Sequence, residues 1–261
     1  MNSGSYVQKT FGLDNRIVLL TGASGHLVSE ISLGLACAGA TVLLGDQDIS
    51  GAEKQASKIR DLGYEASALE VNVRSRESLT AALSVVLERY GDLHCVLNGA
   101  GIGALTPFFE ISTSEWDQMM GTLLTGTMLS CQVFGSYLVQ KEGGSVINIS
   151  SLGSDPPLSQ AYAYSAAKAG VSNLSKNLAR EWARFNVRVN ILRPGFFPTE
   201  RNLKLYLGPE RTSSILAHTP MKRFGKPSEL IGAVLWLFSD AASFVTGAEI
   251  TVDGGFSAMT I

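Results

Sequence analysis

Arg16–Gly25 reads RIVLLTGASG, an apolar run of strand length that breaks into a turn carrying Gly22 and Gly25. A helix-period segment follows at once and continues through about Ala38. Strand, glycine turn and helix in that order open a βαβ unit, and the rest of the chain repeats the alternation. The pattern predicts strands over Arg16–Leu20, Thr41–Leu44, Ala66–Val71, Leu93–Leu97, Ser145–Ile149, Arg188–Leu192 and Glu249–Val252. It predicts further helices over Ser50–Leu62, Ser75–Tyr90, Thr113–Val139 and Ala161–Arg184. No repeat or linker divides the chain, so residues 1–261 read as one domain with a polar arm over 1–12. Residues 199–219, the least regular stretch, follow a strand end, where open α/β sheets bind ligands. They read as a mobile substrate lid.

The bulk properties narrow the function. With 261 residues, 45% hydrophobic and 17% charged, the chain has enough apolar material for a large core. A net charge of −2 gives no basic excess for nucleic acid. No apolar run approaches the ~20 residues that span a bilayer. Cys37, Cys95 and Cys131 are an odd, scattered set within apolar segments. They predict buried free thiols in a reducing, cytoplasmic setting, with neither a disulfide framework nor a metal site.

The turn at Thr21-Gly22-Ala23-Ser24-Gly25 has the context that a dinucleotide needs. Glycines let the backbone approach a pyrophosphate, and the amides opening the next helix face it. Asp46 ends the second strand, about the expected ~20 residues onward. A carboxylate there accepts hydrogen bonds from ribose hydroxyls and repels a 2′-phosphate, which favours NAD over NADP. A second constellation lies downstream. Tyr164 and Lys168 stand four apart in YSAAK, with Ser151 thirteen residues before the tyrosine. That spacing puts phenol and ammonium on one helix face. A cation there is expected to lower the phenol pKa toward the range of a general acid or base, while the serine hydroxyl holds a substrate oxygen.

In this order, these residues resemble the short-chain dehydrogenase/reductase family in its compact form, from about Phe11 to the C-terminus. Asn98-Gly99-Ala100-Gly101, Pro194-Gly195 with Thr199, and Val252-Asp253-Gly254-Gly255 add to the likeness. The resemblance implies an α/β fold with a single Rossmann-type, doubly wound parallel sheet flanked by helices. It implies Tyr164 as acid/base, Lys168 as holder of the nicotinamide ribose, and Ser151 as orienter of the substrate oxygen. Cofactor contacts would come from Gly22, Ser24, Gly25, Leu27, Asp46, Asn72, Val73, Asn98, Ala100, Gly101, Tyr164, Lys168, Pro194, Gly195 and Thr199. Arg193–Asn202 (RPGFFPTERN), Ile215–Gly225 and Asp253–Ala258 look most like the fructuronate reductase (D-mannonate oxidoreductase) subgroup. That likeness implies a small sugar acid or polyol as substrate and a homotetramer or homodimer as assembly. Arg201, Lys204, His218 and Arg223 are the cations available for a substrate carboxylate.

Several positions depart from the family pattern. His26 and Val28 stand where compact members carry glycines, and Val28 is expected to crowd the first helix against its strand. Asn72 replaces an aspartate, and Gly99 replaces the second asparagine of N-N-A-G. Leu123 replaces an asparagine that links the lysine to solvent through water, and leucine has no donor or acceptor. These departures leave two other readings open: a catalytically weak paralogue acting as a binding or assembly subunit, and a 3-oxoacyl thioester reductase.

Overall fold

The computed structural model describes residues 3–199 and 207–259. Its seven strands are β1 (Ile17–Thr21), β2 (Thr41–Asp46), β3 (Ala66–Glu70), β4 (Cys95–Asn98), β5 (Gly144–Ile149), β6 (Val187–Pro194) and β7 (Glu249–Val252). All pair in parallel, in the order β3-β2-β1-β4-β5-β6-β7. The helices are α1 (Ser3–Phe11), α2 (His26–Cys37), α3 (Ile49–Asp61), α4 (Arg76–Tyr90), α5 (Thr113–Met120), α6 (Gly126–Gln140), α7 (Tyr162–Trp182), α8 (Pro209–His218) and α9 (Ile231–Phe238).

Helices cover both faces of the sheet, which is why β1 is a continuous apolar run and not an alternating one. Val18 and Leu20 point into a core shared with Leu35, Ile59 and Leu237 from α2, α3 and α9. Leu19 points the other way, into a core shared with Val86, Phe134 and Ala179 from α4, α6 and α7. Each fully buried leucine contributes about 1.5–3 kcal/mol, so the two faces fix the register of β1. Thr21 pairs with Gly45 on one side and Asn98 on the other. Strand order reverses between β1 and β4, so the connections leave to opposite faces and open a crevice at the C-terminal strand ends.

The doubly wound parallel sheet agrees with expectation. Four details do not. The expected arm holds a helix, α1, whose Tyr6, Val7 and Phe11 are exposed. The expected irregular lid contains α8, begun by Pro209, a residue suited to a first helical turn. The expected single helix over Thr113–Val139 carries a π-helical turn at Gly121–Thr125 between α5 and α6, where Thr127 Oγ1 donates to the Leu123 carbonyl at 2.7 Å. Cys37 is exposed, because it falls at the solvent-facing end of α2, whereas Cys95 and Cys131 are buried and burial pushes both thiols up to about 12. α9 escaped the sequence pattern because IGAVLWLF is apolar all round and too short to show a period. Among the described residues, no helix is long and apolar enough to cross a membrane.

Candidate active site

The nucleotide end is built from backbone. Gly22 has a φ of +74°, and a Cβ there would lie 2.6 Å from the Ala100 Cα. Only glycine lets the β1 and β4 loops meet so closely. The Thr21 hydroxyl accepts the amides of Gly99 and Ala100 at 3.2 and 3.4 Å, tying the two strand ends together. Gly25 caps α2 and has no side chain to occupy the first-turn amides, which therefore remain available to an anion. His26 opens α2 and is exposed, and Leu27 beside it is half-buried. Asp46 is 9% exposed; its carboxylate accepts Ser24 N at 3.0 Å, Ser24 Oγ at 2.7 Å and Asp48 N at 2.9 Å. The acid thus braces the glycine turn from the end of β2. This cradle of positive-φ glycine, uncapped helix start and strand-end carboxylate fits a nicotinamide dinucleotide.

Val28 does not crowd the turn in the way its size predicts. It is buried against position 99, where a Cβ would fall 2.5 Å from Val28 Cγ2. The two departures from the family pattern are therefore one exchange of volume. Bulk gained on α2 is removed from the β4 loop.

Other predicted cofactor contacts are distributed unevenly. The Asn98 side chain is buried in a polar ladder, donating to Asn148 Oδ1 at 2.8 Å and accepting from the Ser130 hydroxyl, while Asn148 donates to Ser175 Oγ at 2.8 Å. Asn98 also borders the small recess at the strand end. Asn72 is exposed, and its Oδ1 accepts Arg74 N at 3.0 Å. Val73 and Ala100 line a small recess with Thr21, Thr122 and Gly126, and Gly101 is exposed beside it. Gly195 donates to Val252 O at 2.9 Å beside Pro194, and a Cβ on it would meet Asp253. Thr199 is the last described residue before the segment 200–206.

The chemical end brings the other three residues together. Ser151 follows β5, and its Oγ accepts Gly153 N at 3.0 Å. Tyr164 and Lys168 lie one turn apart on α7, with Lys168 Nζ 5.8 Å from the phenol ring centre. The ammonium donates to Ile149 O at 2.6 Å and is 5% exposed. Burial lowers its pKa to about 8. Burial likewise pushes the Tyr164 phenol above its ordinary value, and the hydrogen bond of Ser151 draws it back down. The expectation of a lysine-acidified phenol is corrected here. Desolvation outweighs every favourable contact, and the group that lowers the phenol is Ser151. Leu123 is fully buried, packed with Met119, Ala163, Ala167 and Tyr164, so it supports the phenol as core.

Beyond Ser151 lies a cavity of about 320 Å³ between the loop after β5, the turn after β7 and α8. Of the four cations available for a carboxylate, His218 lines it. Arg223 does not; both its Nη atoms donate to Glu229, at 2.8 and 2.7 Å. Arg201 and Lys204 lie outside the described residues. Two arginines were missed. Arg211 lines the cavity from α8. Arg193, at 12% side-chain exposure, donates to Ser151 O at 3.3 Å, Asp155 O at 2.8 Å and Glu249 Oε2 at 2.6 Å. Glu249 also meets Lys176 of α7 at 2.6 Å. Burial pushes the Glu249 carboxyl up, but these two cations hold it below the usual carboxylate range. Arg193 therefore clamps the serine loop to β7 and α7.

Comparison with known proteins agrees with this geometry. The profile described as enoyl-(acyl carrier protein) reductase matches residues 27–257. D-threitol dehydrogenase of Mycolicibacterium smegmatis is 34% identical over 247 residues, 95% of each chain. A gluconate 5-dehydrogenase of Burkholderia cenocepacia, solved with NADP and tartrate, superposes with a TM-score of 0.93 at 30% identity, covering 97% of this chain and 100% of its own. A Haemophilus influenzae protein provisionally described as a D-mannonate oxidoreductase, solved with NAD, superposes with a TM-score of 0.91 at 33% identity, over 95% and 97% of the two chains. With matching profile, sheet order and full-length relatives, the chain belongs to the short-chain dehydrogenase/reductase family and is one of its oxidoreductases.

Proposed function

We propose that this protein is an NAD-dependent oxidoreductase that interconverts a hydroxyl and a keto group on a sugar acid or polyol. The observation that carries the reading is the meeting of Ser151, Tyr164 and Lys168 at the C-terminal end of β5 beside a small cavity. When bound, the nicotinamide supplies or accepts the hydride. The Ser151 hydroxyl orients the substrate oxygen, and Tyr164 moves the accompanying proton. A phenol kept protonated by burial is ready to donate to a carbonyl oxygen, and Lys168, already easy to deprotonate, is the neighbouring proton carrier.

Asp46 supports NAD, since a 2′-phosphate would meet a carboxylate already fixed in place by Ser24 and Asp48. Relatives bind either nucleotide, so the acid and not the fold carries this choice. The small cavity, and the dehydrogenases of polyols and sugar acids among the relatives, favour this reading over 3-oxoacyl thioester reduction. Phe109, 98% exposed, with Phe108 beside it in the turn before α5 and with Trp116 of α5 and Tyr162 of α7 also exposed, supports a homodimer or homotetramer. The three free thiols fit a cytoplasmic enzyme.

The test is nicotinamide absorbance across a panel of sugar acids and polyols with NADH or NAD, on material whose mass is read by light scattering. Tyr164→Phe is expected to lose about 10²–10⁴-fold in turnover while binding NADH as before. Equal turnover in that variant, or no turnover on any panel member, overturns the proposal.

A further inference from the structure

Helix α8 presents its polar side to the cavity. Arg211, Ser214, Ile215 and His218 line it, and their spacing of three, four and seven residues is one helical face. A surface helix usually turns such a stripe inward because it is apolar, yet three of these four side chains are polar. The opposing walls are the apolar part: Leu152, Pro157, Leu158, Phe196, Phe256 and Met259. None of the described lining residues is acidic. Arg211 is half-buried and donates from Nη2 to Ser159 O at 3.1 Å. That bond uses one of five guanidinium donors, and among the described residues no carboxylate lies within ion-pair distance of it. The His218 ring sits edge-on to Phe256 at 4.5 Å, which fixes its position on the same wall.

A planar cation with spare donors, in a cavity near the lower limit of roughly 300–1,000 Å³ for ligand sites, matches a small carboxylate. Guanidinium forms two parallel bonds to that group and to few others in a sugar derivative. We propose that Arg211, assisted by His218, binds the carboxylate of a small polyhydroxy acid and so makes the enzyme select sugar acids over neutral polyols. This rests on the functional reading above and sharpens it to one of its two substrate classes. Ser214 and Ser257 line the same cavity. Although their hydroxyls donate to Glu210 O and Asp253 Oδ2, each oxygen can accept from a substrate hydroxyl, while Arg211 sets which end of the acid faces Tyr164.

The experiment titrates the protein, saturated with NADH, with gluconate, mannonate and galactonate, each against the hexitol that carries a CH2OH group in place of the carboxylate. The wild type is expected to bind at least one acid tenfold or more tighter than its hexitol. Arg211→Gln is expected to erase that preference, Arg211→Lys to restore part of it, and His218→Gln to weaken it less. NADH affinity and melting temperature serve as controls for folding. A wild type without charge preference, or an Arg211→Gln protein that keeps it, overturns the inference. Turnover of the acids that depends on Tyr164 but ignores Arg211 would leave the oxidoreductase standing and sink only the carboxylate site. A charge preference in a protein inert toward hydride transfer would do the reverse.

Discussion

The two halves of the crevice are made differently. Between β1 and β4, position is fixed by backbone: a positive-φ glycine, amides on a threonine hydroxyl, an uncapped helix and an acid bonded to its neighbouring turn. Beyond β5, position is fixed by long side chains reaching across the fold, with Arg193 gripping the serine loop and Arg211 reaching Ser159. Backbone contacts of the first kind admit few residue types and bind what all nicotinamide enzymes share. Contacts of the second kind change with single substitutions, and they surround the part of the site that chooses a substrate. Lys168 stands at the join, buried behind Tyr164 with its head on the β5 carbonyl of Ile149.

The largest effect is expected at that join. Lys168→Met should cost about 10²–10⁴-fold in turnover and yet stabilise the fold near neutral pH. The lysine pKa of about 8 in the folded chain lies below its ordinary 10.5. Between those values the unfolded chain holds a proton that the folded chain has shed, so stability rises with pH across that window. Below about 8 the full penalty of the buried ammonium applies. The stability advantage of Lys168→Met over wild type should therefore be greatest at pH 7 and shrink by on the order of 2 kcal/mol by pH 9.5. Urea unfolding at the two pH values measures it. An advantage independent of pH would mean that the amine is not held out of water in the way its surroundings imply.

Next comes the clamp that separates the two halves. Arg193→Met removes donors from Ser151 O, Asp155 O and Glu249. Hydrogen bonds to a charged group are worth about 1.5–3 kcal/mol each, and part of the loss should appear as a misplaced serine. The expected result is a roughly tenfold to hundredfold fall in kcat, partial recovery in Arg193→Lys, and an NADH Kd equal to wild type. A variant that loses NADH affinity as much as kcat would show that the halves are not independent.

That independence also explains what was readable in the sequence. The seven strands, the glycine turn and Asp46 depend on local patterns, and each lies within a few residues of its predicted place. Ser151, Tyr164 and Lys168 were readable because two of them share one helix turn. Arg193 and Arg211 were not, because nothing local distinguishes an arginine that reaches 38 or 52 residues back from one that faces solvent. The stripe Arg211–Ser214–His218 carried the available signal, a helical period in polar residues opened by a proline, and it was hidden inside a stretch read as irregular. The phenol was misjudged because its pKa depends on burial, which spacing does not report.

The smallest effect tests the backbone-built half from within. Val28 and Gly99 exchange volume across the α2 and β4 loops, so their substitutions should not add. Gly99→Ala alone forces a methyl to 2.5 Å from Val28 Cγ2, an overpacking expected to cost about 1–3 kcal/mol. Val28→Ala alone leaves a void and costs about 1–3 kcal/mol. In the double variant the new methyl fills part of that void, although Leu97 Cδ2 and Thr21 O, each 3.0 Å away, keep the relief incomplete. The coupling energy should thus favour the double variant by about 1 kcal/mol, with NADH affinity recovering in step with stability. Strict additivity would mean that the β4 loop moves aside at no cost. The nucleotide half would then be as adaptable as the substrate half, and its glycines would no longer explain why the cradle stays in place.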